Sequence, residues 1–453
     1  MKLFNEAAKS IPVHAETDVL VVGSGPAGLS AAIAAAREGV SVILCERFGC
    51  FGGVISQVGV EAIAWYRHEG TNESGGLEFE YEERAKQMGG VKECQSESTA
   101  LDADLFKYIA DQMVEEAGVR PILHCLAVEA IVEDGVIKGI ITESKSGRLA
   151  IYAKRVIDCT GDADIAALAG APFTKAPKEQ LMSVTTLFNC KGVDIDKFND
   201  WVENVLKPTY KDWGGYWSIE TTGKEDAMFS PYFERPFVEA VNDGLVPKEE
   251  GACLGGTWST VTPEGEVMQL NLVFLGNIDC TDVEDLTKAE IQGRRNAMYC
   301  LDILRKKVPG FENAKLRNFG MTLGTRESRQ IDGYYRLNKK DVFEEARFED
   351  SIGIFPEFID GRGYLYLPIT GRYYQVPYRC LVPQKVDNLL VAGRCISGEP
   401  IAHTSFRNMS CCAMTGQAAG VAAAESIKQG VTTKNVDIKK IQEALKKQNV
   451  RVF

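Results

Sequence analysis

The segment Val19-Leu20-Val21-Val22-Gly23-Ser24-Gly25-Pro26-Ala27-Gly28 leads straight into an alanine-rich stretch, Leu29–Arg37, and then into Val40-Ser41-Val42-Ile43-Leu44-Cys45-Glu46. An apolar strand, a glycine turn, a helix, a second strand and a terminal acid, in that order, constrain the fold more than any other feature of the chain. Gly23 permits the tight turn, Gly25 lets backbone approach a pyrophosphate, and Gly28 lets the helix pack close to the sheet. Ser24, Pro26 and Ala27 belong to the same cofactor-binding turn, where the helix N-terminus offers N–H groups and a partial positive charge to a diphosphate. Glu46, twenty-three positions after Gly23, sits where a carboxylate accepts hydrogen bonds from both hydroxyls of an adenosine ribose. Its charge repels a 2′-phosphate, so the pattern predicts FAD or NAD rather than NADP.

At 453 residues the chain is too long for one compact core, and two lobes are expected. Lys and Arg total 51 against 63 Asp and Glu, and the net charge of −12 argues against nucleic acid or an anionic membrane as partner. No apolar run approaches the length that crosses a bilayer. The first sixteen residues show no secretory h-region, so a cytoplasmic location is expected. There are 13 cysteines, with no CxxC, zinc or iron–sulfur spacing, and no metal is expected. Cys45 and Cys50 have four residues between them, a spacing that disulfide-reductase flavoenzymes use. Cys45, however, lies inside the second strand, and reads as a buried thiol. So many unpaired thiols suit a reducing cytosol.

Further along, a helix is expected over Leu101–Ala117 and a strand over Val119–Val128. Val128–Val132 and Val136–Thr142 read as a hairpin, because Asp134-Gly135 is a strong type I′ signal. Arg148–Tyr152 and Arg155–Cys159 read as two short strands, followed by the helix Ile165–Ala169. From 171 to 380 aromatics cluster (Trp201, Trp213, Tyr216, Trp217, Trp258), and alternation appears over Val267–Phe274. Short strands such as Ser183–Asn189 suggest a mostly antiparallel sheet with helices. Val386–Arg394 then restores the first pattern, followed by a polar loop, the small-residue helix Cys411–Gln429 and a last helix over Asp437–Lys447. The expected division is 1–170 and 381–453 as the two parts of a nucleotide-binding domain, with 171–380 inserted as a substrate domain.

Four segments carry a family resemblance: the fingerprint with Glu46–Gly53, the run Val156–Asp164, Gly324–Arg329 with Gly333-Tyr334-Tyr335, and Asn388–Arg394 continuing through Ala402–Arg407 to Gly416–Gly420. Together they resemble the FAD-dependent oxidoreductases of the glutathione-reductase-like superfamily, in the branch near the succinate dehydrogenase and fumarate reductase flavoproteins. The resemblance implies an α/β fold: a Rossmann-like FAD-binding domain of the glutathione-reductase type with an inserted, mostly antiparallel α+β substrate domain. It implies FAD as cofactor, with Arg47, Gly52 and Gly53 near the ribityl and pyrophosphate and Ala127 at the adenine edge. Thr160, Gly161 and Asp162 resemble the second pyrophosphate-side turn, Asp162 or a neighbouring amide holding the ribitol. Gly393 and Arg394 resemble the last FAD turn. A helix opening around Gly416, Gln417 and Ala418 would direct N–H groups at the isoalloxazine and stabilise its anionic reduced form.

Hydride transfer to or from a flavin needs an acid or base for the accompanying proton and a cation to polarise the substrate. His403 and Arg407 are placed by motif for these roles. His403 is a candidate for proton transfer or covalent flavin attachment, or else a loop histidine bonded to a carbonyl. Arg407 is a candidate cation or a structural ion pair. Arg326 and Arg329, three apart, would share a helical face as an anion clamp, with a salt bridge to Glu327 or Asp332 as the alternative. Trp65, Tyr66, Arg67 and His68 form a candidate substrate-facing segment. Tyr373, Tyr374 and Tyr378 are either pocket walls or core. The expected activity is an FAD-dependent dehydrogenase or reductase acting on a small molecule at a CH–OH/C=O or CH–CH/C=C group. Electrons would pass to the substrate or a separate donor or acceptor, and self-association is left open. The alternatives are a flavin monooxygenase or halogenase, an NAD-binding protein without flavin, and a non-catalytic electron-relay subunit.

Overall fold

The computed structural model describes residues 3–4, 6–63, 71–93, 99–210, 218–220, 229–356, 359–367 and 371–453. The segment Trp65–His68, together with Trp213, Tyr216 and Trp217, lies outside the described residues.

The first sheet has seven strands. β1 (Val13–Val22), β2 (Val42–Cys45), β3 (Arg120–Ile122), β4 (Leu126–Glu133), β5 (Val136–Ser144) and β6 (Gly147–Asp158) run in the order β3-β2-β1-β6-β5-β4. The strand that closes the sheet arrives much later in the chain. It pairs with β6 in parallel, Leu389 opposite Val156 and Val391 opposite Asp158. β1 lies parallel to both β2 and β6, so its apolar run is covered on both faces and Val19, Leu20 and Val21 are fully buried. The expected two short strands after the hairpin are one twelve-residue strand, β6. Its first half pairs antiparallel with β5 and its last three residues with the returning strand. Exposed Lys154 points outward in mid-strand without breaking the ladder. The hairpin turn is as its residues dictate, with Asp134 and Gly135 both left-handed (φ 50° and 76°). The expected single strand over Val119–Val128 is split, because left-handed His124 (φ 55°) separates β3 from β4.

Helix α1 (Pro26–Arg37) starts with proline at its first position, which needs no N–H there, and Ala31, Ala32, Ile33, Ala34 and Ala35 are fully buried. A second helix, α2 (Ala103–Glu116), is capped by Asp102. The second sheet is six-stranded and antiparallel. β7 (Val184–Thr185), β8 (Phe188–Lys191), β9 (Tyr232–Phe233), β10 (Leu254–Thr257), β11 (Glu266–Leu275) and β12 (Lys315–Phe319) run in the order β9-β10-β11-β8-β12, with β7 on β11. Helix α3 (Val283–Lys307), capped by Asp282, covers it. Phe198, Trp201, Phe233, Trp258 and Phe311 form its aromatic core.

After β13 (Leu389–Val391) come α4 (Pro400–Phe406), α5 (Met409–Lys428) and α6 (Ile438–Lys447). The expected polar loop before α5 is therefore largely a helix, started by Pro400 at its first position. Small residues let α5 lie against α1: a Cβ on Gly416 would stand 2.0 Å from the Ala27 carbonyl oxygen, and one on Gly420 would stand 2.2 Å from that of Ala31. Among the described residues no helix is long and apolar enough to cross a membrane.

Candidate active site

One cavity opens where the C-terminal ends of β1, β2, β6 and β13 face the second sheet, the place where open α/β sheets bind ligands. Gly23, Ser24, Gly25, Pro26, Ala27, Glu46, Arg47, Gly53, Ala127, Thr160, Gly161, Gly393 and Arg394 all line it. So do Arg326 and Arg407.

The glycines of the first turn divide by what surrounds them. Gly23 is left-handed (φ 90°), and a Cβ there would stand 2.5 Å from the Cys159 carbonyl oxygen. Gly28 does not line the cavity, and its Cβ would overlap the Gly23 carbonyl oxygen at 1.8 Å, so it is a packing glycine. Gly25 differs. It is the N-cap of α1 in extended backbone, no side chain caps the helix, and the nearest atom to an added Cβ is 3.9 Å away. Nothing in the protein needs Gly25 to be bare, whereas a diphosphate against the helix N-terminus does. This cradle fits the pyrophosphate of a dinucleotide.

Glu46 is buried beside the turn. One of its oxygens accepts from the Ser24 N–H (2.9 Å) and hydroxyl (2.6 Å), the other from the Phe48 N–H (2.9 Å). A carboxylate has about four acceptor positions, so one is left for a ribose hydroxyl, not the pair expected from sequence. The Arg47 guanidinium lies over the Phe48 ring. Gly52 stands just outside the lining and donates its N–H to the Ser24 carbonyl (2.9 Å).

At the second turn, fully buried Asp158 accepts from the Thr160 N–H and hydroxyl and from the Ala166 N–H, which fixes Thr160 and Gly161 at the cavity wall. Burial pushes its carboxyl up to about 6. Asp162 faces away from the cavity. Its carboxylate accepts from the Ser328 hydroxyl (2.6 Å) and from Arg394 (2.7 Å), so it holds the last turn in place instead of meeting a ribitol. Burial works against the Arg394 charge, but Asp162 more than offsets it. Asp162→Ala should therefore remove the partner of a half-buried cation and cost about 1.5–3 kcal/mol, measured by denaturant unfolding. A loss within error of a surface substitution would show that Arg394 finds another partner.

Gly416, Gln417 and Ala418 lie about two turns inside α5, not at its start. Gly416 packs on Ala27, Ala418 is buried, and Gln417 accepts from the Leu77 N–H (2.9 Å) and donates to Gln448. None of the three lines the cavity. The helix end that meets it is Asn408-Met409, with Cys412 one turn on. Asn408 donates to the Ser405 carbonyl (2.8 Å) rather than capping α5, so the positive end of the helix remains available to a ligand.

The far wall carries the charges. Arg326 donates to the Ser183 carbonyl (2.8 Å) and lies over the Phe274 ring, and among the described residues it pairs with no carboxylate. Burial and then the charge of Arg407 bring it down to about 10. Arg407 donates to Asp360 through both the backbone carbonyl (2.7 Å) and the carboxylate (3.0 Å), and its buried Nε has no partner among the described residues. Arg326 and Arg329 share no helix. The segment between them has no regular structure, and Arg329 pairs with Asp164 (2.8 Å), not with Glu327 or Asp332. Asp360, Asn271, Gln269 and Thr185 also line this wall. The signal for two of them was the polar alternation of Gln269 and Asn271 in β11, which reads equally well as a solvated face.

His403 is not at the wall. It lies on the inward side of α4, fully buried and edge-on to Phe406, and among the described residues its ring nitrogens meet no side-chain partner, only the Arg394 backbone favouring the protonated form. Proton transfer and covalent attachment both require the ring to reach the cavity, and it does not line it. Burial, then the charges of Arg407, Arg394 and Arg362, push its pKa well below 6.5. The unfolded chain takes up this proton first, so its contribution to stability is complete above about 6.5 and is lost as the pH falls below it. His403→Leu should flatten the decline in unfolding free energy between about pH 7 and 5. Identical slopes would contradict the enclosed, neutral ring. Tyr374 and Tyr378 are core residues, bonded to Ser405 and the Thr433 carbonyl, and Tyr373 lies under Arg347.

The family model for FAD dependent oxidoreductases matches residues 18–445. A 177-residue stretch is 28% identical to 6-methylpretetramide 4-monooxygenase of Streptomyces rimosus, covering 36% of this chain and 42% of that protein. A 57-residue stretch is 40% identical to thiamine thiazole synthase of Pyrobaculum aerophilum, covering 13% of this chain and 22% of that one. The chain thus spans less than half the length of these curated relatives. Among solved structures, a geranylgeranyl bacteriochlorophyll reductase-like protein of Thermoplasma acidophilum aligns over 96% of this chain and 84% of its own, with a TM-score of 0.51 and 13% identity, a likeness of fold. With the bare helix N-terminus at Gly25, the acid at Glu46 and the match over nearly its whole length, the chain belongs to the FAD-dependent oxidoreductase family, and its cofactor is FAD.

Proposed function

We propose that this enzyme transfers a hydride between FAD and a small organic substrate that carries a carboxylate or carbonyl oxygen, at a CH–OH/C=O or CH–CH/C=C group. The observation that carries this reading is the pair of guanidiniums, Arg326 and Arg407, in one cavity wall whose carboxylate, Asp360, is paired with Arg407. Two neighbouring cations that repel each other and sit partly out of water are costly unless an anion joins them. An oxygen placed there is polarised by both, and its position is fixed by Arg326, itself held on the Ser183 carbonyl and the Phe274 ring. Bound FAD supplies the hydride acceptor or donor at its N5. Asp360, held by Arg407, is the wall's carboxylate and the proposed carrier of the accompanying proton. In this reading Gly25, Ala27 and Gly53 meet the diphosphate, Glu46 and Ala127 the adenosine, Thr160, Gly161, Gly393 and Arg394 the middle of the cofactor, and Asn408-Met409 the ring end. The strands of 171–380 form the substrate side of a fold of the glutathione-reductase type.

The similarity to the Streptomyces rimosus monooxygenase supports a second reading, oxygen-dependent hydroxylation. Anaerobic mixing of the yellow protein with a panel of hydroxy-, keto- and enoyl acids separates the two. Bleaching of the flavin by a hydroxy acid without oxygen supports hydride transfer. A hydroxylated product formed only with oxygen and an external reductant contradicts it.

A further inference from the structure

β2 ends at Cys45, where the ladder with β3 continues one residue further: the Glu46 N–H donates to the Ile122 carbonyl (2.9 Å). A regular parallel ladder would return through the N–H of residue 124. Here it is Cys125 that donates to the Glu46 carbonyl (2.9 Å), so the edge carries one extra residue. Left-handed His124 absorbs it, and its ring is fixed over Gly49, where a Cβ would stand 2.7 Å from Cε1. The extra residue turns Cys125 onto the face that Cys45 occupies. The two thiols interact, both side chains are buried, and both line the cavity on either side of Glu46. The contact holds Cys125 below the ordinary thiol range, whereas burial raises Cys159, Cys300, Cys395 and Cys411 well above it. Cys125, 5% exposed against 1% for Cys45, is also the more accessible sulfur of the pair and the one an oxidant meets first.

We propose that Cys45 and Cys125 form an oxidisable dithiol that hydrogen peroxide converts to a disulfide, releasing FAD. The Cys125 thiolate attacks one peroxide oxygen, the O–O bond breaks, and a sulfenic acid and hydroxide form. The Cys45 sulfur then displaces the sulfenic oxygen as water. One peroxide is reduced to two waters while two thiols become one disulfide, with the two thiol protons taken up in the waters. A disulfide needs a sulfur–sulfur distance of about 2.0 Å, so β2 and the bulge draw together around Glu46 and move the carboxylate that meets the adenosine. This last consequence rests on FAD occupying the cavity as proposed above.

The test uses the full chain with its flavin bound, treated with a slight excess of hydrogen peroxide, alkylated and peptide-mapped, with free FAD measured by filtration. The expected result is a Cys45–Cys125 cross-linked peptide lighter by two hydrogens, an apparent Kd for FAD raised about tenfold or more, and reversal by a dithiol reductant. Cys45→Ser should instead leave a trappable sulfenic acid on Cys125, and Cys125→Ser should leave no cross-link. Oxidation confined to the half-buried Cys50 or Cys253, with Cys125 unmodified, overturns the proposal. A cross-link without change in FAD affinity overturns the coupling. Protein that is colourless before peroxide is added would count against the FAD assignment alone, because the peptide map reads the cross-link independently.

Discussion

Arg326→Met is expected to weaken binding of a small carboxylate by about 30-fold or more, with the fold as stable as before or more so. Truncating one partner of a buried charge pair costs about 2–5 kcal/mol, and the lower end of that range already gives the 30-fold. The stability side has the opposite sign. Arg326 is half-buried, repelled by Arg407, and among the described residues partnered only by neutral oxygens, the Ser183 carbonyl and, at 3.4 Å, Asn271. Removing its charge relieves that repulsion, and methionine still packs on Phe274. Arg326→Lys should fall between, since an ammonium keeps the charge but lacks the planar fork. The measurement is a titration of carboxylates against the flavin absorption, paired with a thermal melt. Loss of stability in parallel with affinity would reduce Arg326 to a structural role.

The glycine turn gives the second large effect, and it separates binding from folding within three residues. Gly25→Val should fold and yet bind FAD at least about 10²-fold more weakly, because its side chain enters open cavity. Each N–H bond to a charged group is worth about 1.5–3 kcal/mol, and displacing the diphosphate from the α1 terminus forfeits more than one. Gly23→Ala should fail differently. A left-handed φ of 90° and a carbonyl oxygen 2.5 Å from the new carbon demand backbone movement, at a cost of about 3 kcal/mol or more. Gly25→Val should therefore melt near the FAD-free wild type, and Gly23→Ala well below it. If both lose stability equally, the turn is structural and the diphosphate lies elsewhere.

These contrasts also mark what residues alone disclose. β1, α1, β2 and the Asp134-Gly135 hairpin are local: apolar runs, a proline at a helix start and two left-handed turn residues specify them without the rest of the chain. β6 reads as two strands because Ala153-Lys154 interrupts the apolar run, yet partners on both sides carry the strand through. The inward side of α4 is set by contacts from distant segments, Tyr374 on Ser405 among them, so His403 looks like a site residue in the motif while its ring is enclosed. Alternation in β11 shows that Gln269 and Asn271 share a face but not whether that face meets water or a cavity. Cys125 reaches Cys45 only through a one-residue bulge, which no spacing rule reveals.

The most direct measurement is a crystal structure of the protein with FAD and a small carboxylate bound. The account predicts the diphosphate on the N-terminal amides of α1 against Gly25, the adenosine beside Glu46, and the carboxylate between Arg326 and Arg407. Flavin density away from the α1 terminus, or a carboxylate that leaves both guanidiniums untouched, would contradict it.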